Sequence, residues 1–402
     1  MYKADRALPP RMHIDNESAI RRVCLADDLG SIPAAWRTCN RDFKNDTVHF
    51  GDPEWLTECF SSDKASLQAF LFERRGGIVG VAPFVTAKIP LTLDVGGIVL
   101  GAVPLRRLRL LGGCPNLPAE RSVYDQLFRE ISSARQRYDA IWMECLRVDS
   151  FLWKYLHDSA IVRENFYLHC VRGPTPRYVV RPVGSFHEYM RKFSASGRWH
   201  RLKELKRLRA TGAVELVRCL RPEEVDAFVE TAAAISRKTY QFRRLGLGLR
   251  NVPSVKRRLR LAAERGWLRS YLLTCGGTAC CFLLGYQHHG RFYYAEIGYD
   301  PAWSQFSVGR ITILLALQDL LERDTPETID FGEGGGYKEY LANESYVEVD
   351  VLLFRRRAYP LLAAGLRRAC DFSSRGALVL LDGLGLRKLL KRFLRRGTAP
   401  GS

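Results

Sequence analysis

The sequence lacks several features that would set it apart from ordinary soluble proteins. No uninterrupted apolar run reaches the length of about 18 residues that a membrane-spanning helix needs. The N-terminal stretch MYKADRALPPRMHIDNESAIRR has no apolar core of the kind a secretory signal carries, so the expected location is the cytoplasm. Zinc-type cysteine pairs are missing as well: the 11 cysteines are scattered, with Cys145, Cys275, Cys280 and Cys281 inside apolar runs. They read as reduced, mostly buried thiols, and no metal is expected. Acidic residues are in short supply, 43 against 62 Lys+Arg, which leaves a formal charge of +19. Such an excess draws polyanions: a phosphorylated cofactor, RNA, an anionic polysaccharide or a lipid surface.

At 402 residues, 47% of them hydrophobic, the chain has enough apolar material for two cores. Residues 1–45 are polar and Arg-rich with Pro9-Pro10, and read as a loose arm. A first unit, 46–177, alternates strands and helices: SLQAFLFERRGGIVGVAPFVTAK as strand, turn and strand, a helix over 121–138, then the buried strand AIWMECL. Prolines and glycines in RGPTPRYVVRPVGSFH mark a boundary. The second unit, 178–356, opens with basic helical sequence and continues through WLRSYLLTC, TACCFLLGYQ and RFYYAEIGY. These three strands, joined by Gly276-Gly277 and His289-Gly290, spell an antiparallel meander. A helix near 309–323, the strand ETIDFG, a short helix GYKEYLA and the strand YVEVDVLLF follow. Residues 357–402 form a helical basic tail ending in LRKLLKRFLRR, either an amphipathic helix for an anionic bilayer surface or a frayed cationic terminus.

Three short motifs stand close together: Tyr299-Asp300, Ser307-Val308-Gly309, and Asp330-Phe331-Gly332-Glu333-Gly334 followed by Tyr337-Lys338. In this order and spacing they resemble the acetyltransferase-like proteins found near bacterial cellulose and exopolysaccharide genes, a branch of the GNAT superfamily. The resemblance runs upstream through SRKTYQFRRLGLGL and more weakly into residues 55–150, where family members often carry a degenerate first domain. It is related to that of the Fem-type transferases, which have paired GNAT domains and take their acyl group from aminoacyl-tRNA. The fold class implied is α/β (α+β), with two GNAT-like domains, each a mixed, mostly antiparallel sheet flanked by helices. The activity implied is acyl transfer from acyl-CoA, acetyl-CoA above all, to an amine or hydroxyl acceptor in polysaccharide, lipid or secondary metabolism. Acyl-CoA-binding members usually carry a Gln/Arg-x-x-Gly-x-Gly/Ala loop after the fourth strand. This chain has SQFSVGR there, with fewer free backbone N–H groups for a pyrophosphate. Aminoacyl-tRNA is therefore the alternative donor, and a non-catalytic module for anionic surfaces the third reading.

The residues divide by role. Glu296, in an apolar and aromatic strand, faces the same side as Phe292 and Tyr294 by the period of two, and burial would make it a better proton acceptor. The same position also suits an edge carboxylate that reaches water. Ser307, Val308, Gly309 and Arg310 open a helix whose first N–H groups and nearby cation suit an anion, with Ser307 as its cap; an ordinary capped helix fits equally. Asp330 ends a strand, and Tyr337 is placed to return a proton to a leaving thiolate, with Tyr340 as the alternative. Lys338, Glu333, Tyr299, Asp300, Tyr240 and Lys238 are candidate substrate contacts, the last two within a basic-aromatic cluster that includes Arg243 and Arg244. The helix near 191–209 is strongly basic, with Trp199, Leu202, Leu205 and Leu208 as its apolar face, and suits either a phosphate or plain solvent. His288-His289 reads as a surface turn.

Overall fold

The computed structural model describes residues 18–24, 34, 36–39, 52–60, 66–74, 77–96, 98–133, 137–171, 173–334 and 336–383. The first half holds β1 (Ser18–Cys24), α1 (Pro53–Phe60), β2 (Ser66–Arg74), β3 (Gly77–Lys88), β4 (Leu91–Val95), β5 (Ile98–Val103), β6 (Arg106–Leu110), α2 (Arg121–Ser132), β7 (Ala140–Arg147), α3 (Phe151–Asp158), α4 (Ala160–Asn165), β8 (Phe166–Cys170) and β9 (Thr175–Val180). The second holds α5 (Phe186–Arg191), α6 (Ala195–Arg209), β10 (Val214–Cys219), α7 (Val225–Lys238), α8 (Tyr240–Leu245), α9 (Pro253–Glu264), β11 (Ser270–Cys275), β12 (Thr278–His288), β13 (Arg291–Tyr299), α10 (Val308–Asp319), β14 (Thr328–Glu333), α11 (Tyr337–Leu341), β15 (Glu344–Arg355) and α12 (Ala358–Gly383).

Local chemistry sets these elements. Gly276 and Gly277 both adopt positive φ, 56° and 76°, as do His289 and Gly290, 46° and 74°; hairpin turns of the primed types need that geometry, so β11, β12 and β13 fold back on one another. The Glu224 carboxylate accepts the N–H groups of Leu220 at 2.8 Å and Arg221 at 3.0 Å, starting the turn that leads into α7. Ser194 caps α6 by accepting from Gly197 N at 3.1 Å.

All strands except the β4–β5 hairpin join one 13-stranded sheet in the order β1-β2-β3-β6-β7-β15-β9-β14-β13-β12-β11-β10, with β8 also pairing β15. It is mainly antiparallel and flanked by helices, and the two halves follow the same scheme. In each, four strands pair antiparallel, the fourth lies parallel to a fifth, and a further strand closes the fifth antiparallel: β6 with β7 and then β15, β13 with β14 and then β9. The closing strands are exchanged. β15, from the end of the second half, pairs β7 along Glu348–Phe354 and also β9, while β9, at the end of the first, pairs β14. The boundary expected at 177/178 thus runs through β9. Residues 18–24, expected within a loose arm, instead pair along β2 in full register, and the helix expected over 121–138 ends at Ser132.

In the second half, helices cover both faces of the meander. On one face α7 and α9 bury Phe228, Val229, Leu259 and Ala262 against Phe282 and Leu284, with Trp55 of α1 inserted beside Tyr286. On the other, α5 and α10 bury Tyr189, Ile313 and Leu317 against Leu283, Phe292 and Phe331. Helix α6 adds Leu205 and Leu208 to a neighbouring cluster, but Trp199 and Leu202 of the same helix, expected on its apolar face, are 54% and 63% exposed. His288, expected in a surface turn, packs edge-on against Trp267 at 4.8 Å, and burial pulls its pKa down to about 3.

Candidate active site

The site lies where β13 and β14 part. Their parallel ladder covers only Arg291–Tyr293 against Thr328–Asp330; beyond it β13 stays with β12, and β14 turns toward β9, reaching Arg177 at Glu333. A crevice opens between the two strands at that point.

A bulge in β13 decides which groups reach each side of it. Glu296 pairs Leu284 while Tyr294 pairs Gly285, so Ala295 is an extra residue and the alternation shifts by one. Tyr294 stays on the face of Phe292 and Phe331, whereas Glu296 lies on the face of Leu284 and α7. The shared side expected from the period of two is thereby corrected: Glu296 and Tyr294 flank the sheet from opposite faces. The half-buried Glu296 carboxylate accepts the Leu249 N–H at 2.8 Å. Burial raises its pKa above the usual carboxylate range, and that hydrogen bond offsets only part of the rise. Gly248 makes the contact feasible. Its φ is +142°, and a Cβ there would stand 2.3 Å from Ser236 Oγ.

On the opposite face α11 begins at Gly336, whose φ of 74° and ψ of −120° suit glycine alone. The Tyr337 hydroxyl lies 2.9 Å from the Tyr294 hydroxyl. Burial raises the Tyr337 pKa, and the bond to Tyr294 pulls it partly back. Lys338 donates to the Glu333 carbonyl at 2.7 Å and stands 5.5 Å from the Tyr294 ring centre; burial lowers its pKa, with Arg177 adding to the effect. Lys192 donates to the last carbonyls of α11, at Leu341 and, at 2.8 Å, Ala342, which fixes the helix that carries Tyr337.

A cleft of about 640 Å³ leads to Tyr337 between α6, the first turns of α10, and α11. Arg201, Glu204, Arg310, Ile311, Tyr337 and Tyr340 are among the residues that line it. Arg201 lies over the rings of Phe193 and Tyr340, 4.0 and 4.5 Å from their centres, and donates to the Tyr340 hydroxyl at 3.2 Å. A Cβ on Gly197 would come within 2.7 Å of that hydroxyl, so glycine lets α6 approach α11. Ser307 does not cap α10 with its side chain: it takes left-handed backbone angles, and its hydroxyl accepts from Arg310 at 2.7 Å. Arg310 also pairs with Glu204 of α6. The N–H groups of Val308 and Gly309 start the helix without intrahelical acceptors.

Other expected residues are engaged within the fold. Asp330 is 1% exposed; both its oxygens accept from Arg177 Nε at 2.9 Å, one also accepts from Gly332 N at 2.7 Å, and Arg291 is 3.4 Å away. Arg177 donates in addition to Glu348 at 3.1 Å. Asp300 accepts from Ala302 N at 3.1 Å to start the turn after β13, and pairs with Lys238 at 2.6 Å, both away from the cleft lining. Tyr299 is 43% exposed beside Gly309. The side chains of Tyr240 and Arg244 and residues 384–402 lie outside the described residues. Sequence reasoning missed Arg177 and Glu348. Glu348 carries the same signal as Glu296, a carboxylate in an apolar strand.

The mainly antiparallel sheet thus opens between two parallel strands, with the half-buried Glu296 carboxylate on one face and a tyrosine-lined cleft on the other. Residues 196–340 match the family model of the acetyltransferase (GNAT) domain. Among solved structures, FemX shares 10% identity with a TM-score of 0.56, over 80% of this chain and 96% of its own. A tandem GNAT protein from the clavulanic acid biosynthesis pathway shares 11% (TM-score 0.46, 85% and 99% covered). L-PGS from Bacillus licheniformis shares 12% (TM-score 0.45, 84% and 96% covered). At 10% identity the likeness to FemX is one of fold. No curated protein sequence matches the chain.

Proposed function

We propose that the second half transfers an acyl group from acyl-CoA, acetyl-CoA above all, directly to an amine or hydroxyl acceptor, across the crevice between β13 and β14. The observation that carries this reading is the division of acid–base groups between the two faces of the opening. The donor supplies a thioester carbonyl, entering through the cleft between α6, α10 and α11. Arg201, Arg310 and the free N–H groups at the start of α10 are suited to its phosphates. The acceptor approaches from the α7 face. Glu296 takes the proton from its nitrogen or oxygen as that atom bonds to the acyl carbon; its raised pKa makes it a stronger base than an exposed carboxylate. When the C–S bond breaks, Tyr337 gives its proton to the leaving sulfur, and the Tyr294 hydroxyl steadies the phenolate by hydrogen bonding. The proton left on Glu296 returns to Tyr337 through solvent after products leave. Lys338 and Glu333 are substrate contacts at the mouth, and Asp330 holds the strand end through Arg177 instead of touching the substrate.

An aminoacyl-tRNA donor is the second reading, favoured by the exposed Lys203, Lys206, Arg207 and Arg209 along α6, next to the same cleft. Thermal-shift titration separates the two: saturable stabilisation by acetyl-CoA at low micromolar to millimolar concentration, lost in Arg201→Ala, supports the CoA donor. Stabilisation by charged tRNA alone overturns it in favour of the second. No stabilisation by either removes both.

A further inference from the structure

The β4–β5 hairpin and α12 share an unusual surface. β5 is uncharged, IVLGAV, and its Ile98, Val99 and Leu100 are 65–71% exposed; the hairpin stands apart from the main sheet. Helix α12 lies along it. Arg367 donates to the Thr92 carbonyl at 2.8 Å and to Asp94 at 2.6 Å, and Gly96 N donates to Ser374 at 3.0 Å, which brings the hairpin turn to the part of the helix that bears Phe372. The helix buries Ala363 and Ala364 inward and still presents Leu362, Leu366 and Phe372 outward, the last 80% exposed. A strand and a helix that both turn large apolar side chains to water mark a surface with a partner.

The charges identify the partner. The acids of the hairpin and of the described helix side chains, Asp94 and Asp371, are both paired with Arg367, whereas Arg368 and Arg375 are exposed. In sequence, residues 384–402 add six Lys or Arg and no acid. Two copies of such a face would repel each other, and a nucleic acid gains nothing from Val99, Leu362 and Phe372. We infer that this face docks on an anionic phospholipid bilayer, with Ile98, Val99, Leu100, Leu362 and Phe372 entering the headgroup–acyl boundary and Arg368 and Arg375 meeting lipid phosphates. No described helix is long and apolar enough to cross the membrane, so the contact is peripheral. The inference is independent of the transfer chemistry.

The test is sedimentation of the full chain with phosphatidylcholine vesicles, alone and with phosphatidylglycerol as about a third of the lipid. The protein pellets with the anionic vesicles and is released by salt. The triple variant Val99→Ser, Leu362→Ser, Phe372→Ser, confined to exposed side chains, binds about tenfold more weakly. Arg368→Gln with Arg375→Gln reduces the preference for phosphatidylglycerol roughly tenfold. Melting curves check that the variants stay folded. Absence of vesicle binding overturns the inference. So does a triple variant that binds like the parent while deletion of 384–402 abolishes binding, or a dimer in solution that the triple variant disperses.

Discussion

The two halves share one strand scheme but differ at the place where chemistry would occur. In the first, the parallel pair β6–β7 is sealed. Arg109 of β6 pairs with Glu144 of β7, Arg107 and Arg109 both lie over Trp142, and the chain after β6 stays so close to β7 that a Cβ on Gly113 would stand 3.0 Å from the Cys145 carbonyl. In the second, β13 and β14 separate after three paired residues. The helix N-termini differ as well. The residue before the helix that follows β6, Glu120, is extended and pairs with Arg74, whereas the residue before the helix that follows β13, Ser307, is left-handed and accepts from Arg310, which lines the cleft. One scheme has been built twice, once closed between its parallel strands and once open.

The comparison can be broken most sharply at Glu296. Glu296→Gln lowers kcat by roughly 10²–10⁴-fold if Glu296 is the base. The parent's kcat/KM falls with decreasing pH through a midpoint above the ordinary carboxylate value, because the raised pKa leaves Glu296 protonated and unable to accept; the variant loses that limb. A folded variant with full turnover removes Glu296 from the mechanism. Next in size is Arg177→Ala, which leaves Asp330 and Glu348 buried without their shared partner at the seam of the halves. A loss of about 3–5 kcal/mol in denaturant unfolding is expected, in a single transition if the halves fold together. Tyr337→Phe should cost on the order of 10² in kcat, and Tyr294→Phe about fivefold, read by single-turnover release of free thiol. The smallest effect sharpens the contrast: Glu120→Gln, at the sealed half, changes steady-state turnover by less than about twofold.

Much of the second half is legible in the sequence because its signals are local. The meander follows from two turn pairs at positive φ between apolar runs, and α10 and α11 follow from Ser307-Val308-Gly309 and the glycines before Tyr337. The facing of Glu296 is not legible, since a single extra residue at Ala295 depends on how β12 and β13 settle their register and leaves no mark in a period-two count. The Ser307 cap fails for a similar reason: Arg310, one turn on, competes for the hydroxyl. Arg177 is hidden because its partners Asp330 and Glu348 lie more than 150 residues downstream, 153 and 171 positions away. Trp199 and Leu202 are exposed because the apolar contacts of α6 come from Leu205 and Leu208 in its last turns, while its first turns meet α11 through Gly197 and Arg201.

The exchange of β15 has a consequence during synthesis. As the first half leaves the ribosome, β7 has no neighbour on one edge, and its partner is encoded some two hundred residues later, Glu348 standing against Arg147. An open apolar edge of that kind is prone to pairing with other chains. The nascent chain must keep it covered until β15 arrives. A ribosome that stops anywhere between β9 and β15 releases an unfinished sheet in place of a working half.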